Sequence, residues 1–191
     1  LAAPDRVKGL AFLAPVSHDW PGGVTWYYNV AAWPVIGALF CWTLTLPVGG
    51  LLAPSAMTNV FFPDRAPQDY FARIRLPLLF RPASFRANSR QIAFLKRAII
   101  SQSRRYCELD QPALVVSGTQ DTVVWPSIHC EGLLRDLPNA HLLMLDKAGH
   151  MLHHTHTADI AKALLKLVHR VEDKGEVVLQ PSSPGEVGSP V

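Results

Sequence analysis

Three short runs of nearly uninterrupted apolar residues stand out along the chain. They cover residues 6–14, 113–117 and 141–145. Turn-forming residues, including Pro112 and Pro138, introduce the second and third runs. Strands that are buried on both faces of a parallel sheet have this composition, because helices cover both faces of such a sheet. The pattern therefore predicts three buried parallel strands.

Helical spacing of apolar residues follows the second and third runs. Residues 126–136 place Ile128 and Leu133 on one helical face, and Pro126 suits the first turn of a helix. Thr157 is the predicted N-cap of a second helix. The apolar positions of that helix are Ile160, Ala163, Leu164, Leu167 and Val168. Strand, helix, strand and helix in this order predict the α/β class, with parallel strands flanked by helices.

The long middle segment, residues 17–105, has a different pattern. Its residues 29–53 contain no charged side chain, but prolines and a glycine divide them into pieces shorter than the roughly 20 residues that span a bilayer. We expect short helices there, either buried or interfacial, and an amphipathic helix over residues 88–101. Its aromatic residues are predicted to form a core, or alternatively to line an apolar acyl pocket. They are Trp26, Tyr27, Tyr28, Trp33, Phe40 and Trp42.

Composition narrows the class of protein. The chain has 191 residues, of which 49% are hydrophobic and 17% charged, as in a globular protein with a core. Its net charge of +3 comes from scattered basic residues without a long basic run, so we expect no nucleic acid partner. Residues 172–191 are rich in Gly, Pro, Ser and Glu and are predicted to form a disordered tail.

The cysteines bear on the cellular compartment. Cys41, Cys107 and Cys130 are odd in number and contain no CxxC pair, which argues against a disulfide framework and a zinc knuckle. A reducing, cytoplasmic location is therefore predicted. The chain starts at Leu1 without a signal peptide pattern, and we expect it to be part of a longer protein.

Two loops carry the candidate chemistry, and each follows a predicted strand at its carboxyl end. Asp121 lies on the first loop and His150 on the second. Open α/β sheets place reactive groups at these ends. There a carboxylate can accept a hydrogen bond from one ring nitrogen of a histidine while the other nitrogen faces a nucleophile. Asp146 is the alternative acid, because it is close to His150 in sequence.

Further histidines follow the second loop. His150 and His154 have the i, i+4 spacing of a helical metal pair, but the HExxH pattern and an apparent third ligand are missing. We therefore interpret His153, His154 and His156 as solvated residues at the start of a helix. No metal and no cofactor is predicted.

The quoted segments resemble the α/β-hydrolase family. "PALVVSGTQDTVV" is similar to the strand and turn that bear the family's acid, and "LPNAHLLMLDKAGHMLHH" to its last strand and histidine loop. "RVKGLAFLAPVSHDWPGG" is similar to the strand that leads into the lid. The resemblance implies that Asp121 is the acid and His150 the base of a catalytic triad.

The same resemblance implies the domain organisation. Residues 1–16 would supply a strand of the hydrolase core, residues 17–105 a helical cap, and residues 106–171 the carboxyl-terminal part of the core. The predicted fold is therefore a partial α/β-hydrolase fold with a helical cap domain.

One family motif is missing from the sequence. No GxSxG elbow, which carries the nucleophile in this family, occurs in these residues. Ser17, Asp121 and His150 follow the family's chain order. However, Ser17 is flanked by Val16 and His18, where the elbow needs small residues. The nucleophile and the oxyanion hole are therefore predicted to lie upstream of Leu1, and this chain alone is expected to be inactive.

The predicted function is that of a serine esterase or lipase-like hydrolase acting on a small apolar ester. An aspartate nucleophile would instead make the protein an epoxide hydrolase or a dehalogenase. A different class also remains open: a non-catalytic module of the same fold that binds a ligand or a membrane surface through the lid. The residue at the nucleophile elbow decides between the serine and the aspartate chemistry.

Overall fold

Three parallel strands form the sheet of this protein, whose computed structural model describes residues 1–176. The strands are β1 (Leu10–Leu13), β2 (Ala113–Gly118) and β3 (Ala140–Leu145), in the order β1-β2-β3. Ala113 is paired with Leu10 on one side and with Ala140 on the other. The predicted α/β class with parallel strands flanked by helices is therefore confirmed.

Eight α-helices and three short 3₁₀ turns accompany the sheet in the described residues. The helices are α1 (Trp26–Ala32), α2 (Ile36–Thr43), α3 (Thr45–Phe61), α4 (Tyr70–Arg73), α5 (Pro82–Ser103), α6 (Pro126–Asp136), α7 (Leu152–Thr155) and α8 (Thr157–Glu176). The 3₁₀ turns are Pro4–Arg6, Leu76–Leu78 and Tyr106–Glu108. Five helices, α1 to α5, lie between β1 and β2, and we call residues 26–103 the helical insertion.

The core lies on the two faces of β2, and the alternation of side chains along a strand decides which residue joins which face. On one face, Leu114 and Val116 pack against Leu152 of α7 and Ile160 of α8. The alternate residues of β2 lie on the opposite face of the sheet. Their buried neighbours are Tyr106, Leu109, Cys130, Leu133 and Leu137, mostly from α6 and the turn before β2. Because α6 and α8 cover opposite faces, β2 is the buried centre of the sheet.

The outer strands are less buried than the sequence suggests. All six residues of β2 are buried, but β1 alternates between half-buried and exposed positions, and Leu142 and Met144 of β3 are exposed. The prediction of burial on both faces is therefore wrong for β3, and within the described residues β1 has a neighbouring strand on one side only. An apolar run has the same composition in a central strand and an edge strand, whereas burial depends on a second neighbouring strand.

The aromatic residues of the helical insertion divide into two groups. Tyr28 stacks on Phe85 of α5, with ring centroids 6.1 Å apart, and burial with the neighbouring Tyr27 raises its pKa to about 12. Trp26, Trp33 and Trp42 are exposed instead. The prediction that these tryptophans form a core is wrong, because the buried positions are held by small residues, Ala31 in α1 and Gly37 and Cys41 in α2.

The carboxyl-terminal helix differs in both boundaries from the prediction. Thr157 is the first residue of α8, and its hydroxyl donates to the carbonyl of His153 at 2.9 Å, so it does not act as the predicted N-cap. The helix continues to Glu176, past the predicted start of the tail at residue 172. The rest of the predicted tail, residues 177–191, lies outside the described residues.

Within residues 1–176, we find no individual helix with both the length and the apolar character needed to cross a membrane. Ile36–Thr43 and Pro47–Phe61 meet the criteria only as a pair, and the two are bent by 76° relative to each other.

Candidate functional site

Asp121 and His150 are hydrogen-bonded at the carboxyl ends of β2 and β3. The Nδ1 atom of His150 lies 2.9 Å from Oδ2 of Asp121. The side chain of Asp121 is fully buried, whereas that of His150 is 23% exposed. Since an ionised carboxylate only accepts hydrogen bonds, Nδ1 is the protonated nitrogen of the neutral ring. Nε2, which has no hydrogen-bond partner among the described residues, then carries a free lone pair.

The other oxygen of Asp121 is held by the backbone of its own loop. Oδ1 accepts the N–H groups of Val123 at 2.9 Å and Val124 at 2.8 Å. These bonds compensate a buried carboxylate for the loss of water. They also fix the direction of Oδ2, so the local turn aims the carboxylate at the histidine.

Backbone hydrogen bonds join the two loops at several points. Thr119 N–H donates to the carbonyl of Leu145 and Gln120 N–H to that of Ala148, both at 2.9 Å. Lys147, which has a left-handed backbone with φ of 54°, donates its N–H to Oγ1 of Thr119 at 2.8 Å. The position of His150 relative to Asp121 therefore depends on main-chain contacts. Thr119 was not singled out from the sequence.

Two glycines allow the close approach at this site. A Cβ atom on Gly118 would overlap the carbonyl of Ala148, and one on Gly149 would overlap the carbonyl of Phe62. The second contact brings the helical insertion onto the histidine loop. Helix α7 adds a further contact, since Nε2 of His154 lies 3.2 Å from the hydroxyl of Tyr70.

The alternative acid and the remaining histidines have other surroundings. The carboxylate of Asp146 lies 3.4 Å from Oγ1 of Thr119, and no hydrogen bond to His150 is found in residues 1–176. Burial lowers the pKa of His153, with smaller contributions from His154 and His150. The Nδ1 atom of His156 lies 3.9 Å from Oδ2 of Asp64. Across the described part of the chain, no group of three or more His, Cys, Asp or Glu side chains could hold a metal ion.

Ser17 belongs to a separate, buried network. Its side chain lies under the surface, with the residue 1% exposed, and its hydroxyl donates to the carbonyl of His129 at 2.9 Å. The ring of His18 lies between Ser17 Oγ at 2.9 Å and Asp136 Oδ2 at 3.0 Å. This arrangement leaves the hydroxyl of Ser17 without access to a substrate, in agreement with its rejection as a nucleophile on sequence grounds.

His129 is the centre of that network and was missed by sequence reasoning. Its Nδ1 atom accepts the backbone N–H groups of Ser17 and His18, each at 3.2 Å. Burial lowers the pKa of His129, and the nearby His18 lowers it further. The neutral ring therefore attaches the loop after β1 to helix α6. A helical histidine among apolar residues has no sequence signal that would reveal this role.

An open cleft of about 410 Å³ lies beside the acid loop. It is lined by Trp20, Leu95, Val123, Trp125 and His129, among others. Neither Asp121 nor His150 is among its lining residues, so the cleft is adjacent to the pair rather than centred on it.

Comparison with known proteins identifies the fold of the described residues. No protein-family profile matches the sequence, and no curated protein matches it significantly. Solved structures do match. A hydrolase of 2-hydroxy-6-oxo-6-phenylhexa-2,4-dienoate from Rhodococcus sp. strain RHA1 is 15% identical, with a TM-score of 0.62 over 88% of this chain and 57% of that chain.

Two further structures agree. An esterase from Thermogutta terrifontis has a TM-score of 0.58 at 15% identity, over 88% of this chain and 58% of its own. An enol-lactonase from Burkholderia xenovorans LB400 has a TM-score of 0.53 at 20% identity, over 86% of this chain and 57% of its own. The chain thus spans less than two thirds of each of these proteins. Such low identities show the fold alone, and the described residues have part of the α/β-hydrolase fold.

Proposed function

We propose that this chain supplies the acid and the base of a hydrolase site of the serine esterase type. His150 acts as the general base and Asp121 orients its ring. The observation that supports this assignment is the hydrogen bond of 2.9 Å between His150 Nδ1 and a buried Asp121 carboxylate, with Nε2 left free. A solvated loop histidine would not require a buried carboxylate partner that accepts hydrogen bonds at both of its oxygens.

The proposed proton transfers follow from this arrangement. Nε2 of His150 removes the proton of a hydroxyl nucleophile as the oxygen attacks an ester carbonyl. The ring is then an imidazolium, which the ionised Asp121 stabilises through Nδ1–H. Nε2 returns the proton to the leaving alkoxide. A water molecule then repeats the sequence on the acyl-enzyme and releases the acid.

The nucleophile and the oxyanion donors are proposed to come from a segment outside these residues. No GxSxG elbow occurs in the sequence, and the hydroxyl of Ser17 is buried and engaged elsewhere. The match covers 57–58% of the length of these solved structures. This partial coverage is consistent with a longer protein. On this proposal, the 191 residues have no hydrolytic activity by themselves.

The proposed substrate is a small ester with an apolar acyl group. The support comes from the helical insertion, which would serve as the cap. Its Phe62 carbonyl lies against Gly149, next to His150, and the Phe62 side chain is exposed beside this contact. An apolar cap excludes water, which strengthens the electrostatic contribution of Asp121.

Hydrolysis of p-nitrophenyl butyrate tests the proposal. The assay compares the 191-residue chain with the product of the complete open reading frame that encodes it. We expect activity only in the complete product. His150→Ala should abolish it, and Asp121→Asn should lower kcat about 10³–10⁴-fold, because the ring would adopt the wrong tautomer.

Asp146→Asn is the matched control for the acid and should leave turnover unchanged. Retained activity in the His150→Ala variant would overturn the assignment of the base. An inactive complete product would favour a non-catalytic module. Turnover of an epoxide or a haloalkane instead of the ester would identify an aspartate nucleophile.

A further inference from the structure

Two contacts with the helical insertion lie on either side of His150, the proposed base. Before it in the chain, Gly149 lies against the carbonyl oxygen of Phe62. After it, on helix α7, Nε2 of His154 lies 3.2 Å from the hydroxyl of Tyr70. Phe62 directly follows α3 and Tyr70 is the first residue of α4. The connection between these two helices therefore holds the histidine loop at two points.

The second contact is part of a cluster of three rings. Phe61, the last residue of α3, is 1% exposed, and its ring centroid lies 5.9 Å from that of His154. The ring of Tyr70 is edge-on to both, with its centroid 5.1 Å from each. Edge-to-face pairs at such distances are favourable. His154 thus has both a packing partner and a polar partner in the insertion, which the sequence pattern does not reveal.

Helix α7 connects this ring cluster to the base. The N–H of His154 donates to the carbonyl of Met151 at 2.9 Å, and that of His156 to the carbonyl of Leu152 at 2.7 Å. Leu152 is fully buried in the core. Because Met151 directly follows His150, one hydrogen-bonded turn passes a displacement of His154 to the backbone of the base.

The ring of His150 depends on the position of this backbone. Within the described residues, its side chain has one hydrogen bond, from Nδ1 to Oδ2 of Asp121. Proton transfer also requires Nε2 to lie within hydrogen-bonding reach of the nucleophile. A misplacement of about 1 Å can lower the rate of an enzyme about 100-fold. Contacts other than the bond to Asp121 must therefore fix the loop.

We infer that Tyr70 and His154 are positioning residues, whose contact fixes the backbone of the histidine loop and thereby the place of the His150 ring against Asp121. They act through His150 and not on the substrate. The inference rests on the proposed function as far as turnover is concerned. The position of the ring, by contrast, is measurable without a substrate and without a nucleophile.

Exchange of the Nδ1 proton of His150 with water, measured by NMR in the 191-residue chain, tests the inference. The bond to Asp121 protects this proton. His154→Ala removes one ring of the cluster, and we expect exchange to become about tenfold faster, the factor for one lost aromatic contact. Tyr70→Phe removes only the hydroxyl and should accelerate exchange about threefold, as expected for one neutral hydrogen bond.

A conservative variant and a matched control accompany these changes. His154→Phe keeps a ring against Phe61 but loses Nε2, so its exchange rate should match that of Tyr70→Phe. The double variant should exchange no faster than either single variant, because both changes remove the same hydrogen bond. His169→Ala is the control, since the side chain of this α8 histidine is 75% exposed. It should leave the exchange rate unchanged.

Turnover of p-nitrophenyl butyrate by the complete product is the second measurement. His154→Ala should lower kcat about tenfold and leave KM unchanged, because the contact acts on the base and not on bound substrate. If the unmodified complete product does not hydrolyse the ester, the proposed function fails, and the exchange rates alone decide the inference.

Two results would overturn the inference. The first is an unchanged exchange rate of the His150 proton in both Tyr70→Phe and His154→Ala. The contact would then be purely structural, even if urea denaturation shows a lower stability. The second is a higher KM with unchanged kcat in His154→Ala, because His154 would then act on substrate binding and not on the base.

Discussion

Gly149 lies directly against the carbonyl oxygen of Phe62, too close for any side chain at position 149. This contact joins the loop that carries His150 to the turn after helix α3. The place of His150 is therefore determined by the helical insertion as well as by the sheet.

Replacing this glycine should disturb the site. In Gly149→Ala, the new Cβ would overlap the Phe62 carbonyl, and we expect the free energy of unfolding to fall by about 1–3 kcal/mol. Urea denaturation measures the change. Gly50→Ala is the matched control, because no atom lies within 4 Å of its Cβ position and alanine favours the helix α3. Equal stability of the Gly149→Ala variant and the unmodified protein would contradict the close contact.

The hydrogen bond between Asp121 and His150 should be visible in the tautomer of the histidine. With the carboxylate as acceptor, the neutral ring carries its proton on Nδ1. In Asp121→Asn, the amide can keep its oxygen toward the N–H groups of Val123 and Val124 and then presents its NH₂ group to the ring. We expect the proton to move to Nε2, as measured by long-range ¹H–¹⁵N correlation spectra.

Asp146→Asn serves as the control, and its His150 signals should match those of the unmodified protein. An Nε2–H tautomer in the unmodified protein would be incompatible with the proposed role of His150 as a base. This measurement needs no nucleophile and no substrate.

His129 should make the stability depend on pH. Its pKa in the folded protein lies below its ordinary value of 6.5, because burial disfavours the charged ring. Below pH 6.5, the unfolded state therefore binds more protons than the folded state, and the free energy of unfolding falls as the pH falls. Protonation at Nδ1 also removes the acceptor for the N–H groups of Ser17 and His18.

The variant His129→Asn keeps an acceptor at the position of Nδ1 but does not titrate. We expect a smaller loss of stability between neutral and mildly acidic pH than in the unmodified protein, measured by urea denaturation across that range. His169→Asn, at an exposed position on α8, should retain the full dependence. If the free energy of unfolding of His129→Asn depends on pH as it does in the unmodified protein, the pH dependence comes from other groups.

Ser17 should prove to be structural. Removing its hydroxyl leaves the buried carbonyl of His129 without this donor, and we expect Ser17→Ala to lower the free energy of unfolding by about 1 kcal/mol. A fluorophosphonate probe should not label Ser17, because the residue is buried. Ser101→Ala, at an exposed position on α5, is the control and should change neither measurement. Labelling that disappears in Ser17→Ala would identify Ser17 as a nucleophile.

The elements nearest the candidate site were the ones best predicted from the sequence. Pro126 and Asp136 bound α6 as predicted, and β2 and β3 each differ by one residue from the predicted strands. These segments have clear turn residues and a regular period, which are local properties. The catalytic roles of Asp121 and His150 remain predictions, although the structure brings the two side chains within hydrogen-bonding distance.

The sequence by itself determined the parallel strands, the helices beside them and the positions of Asp121 and His150 at the strand ends. All of these depend on neighbours within a few residues. Tertiary structure decided that β2 is central, that Trp33 and Trp42 are exposed, and that Ser17 is tied to His129. Burial and hydrogen bonding of these residues involve segments far apart in the chain, such as the loop after β1 and helix α6, and no local pattern encodes their contact.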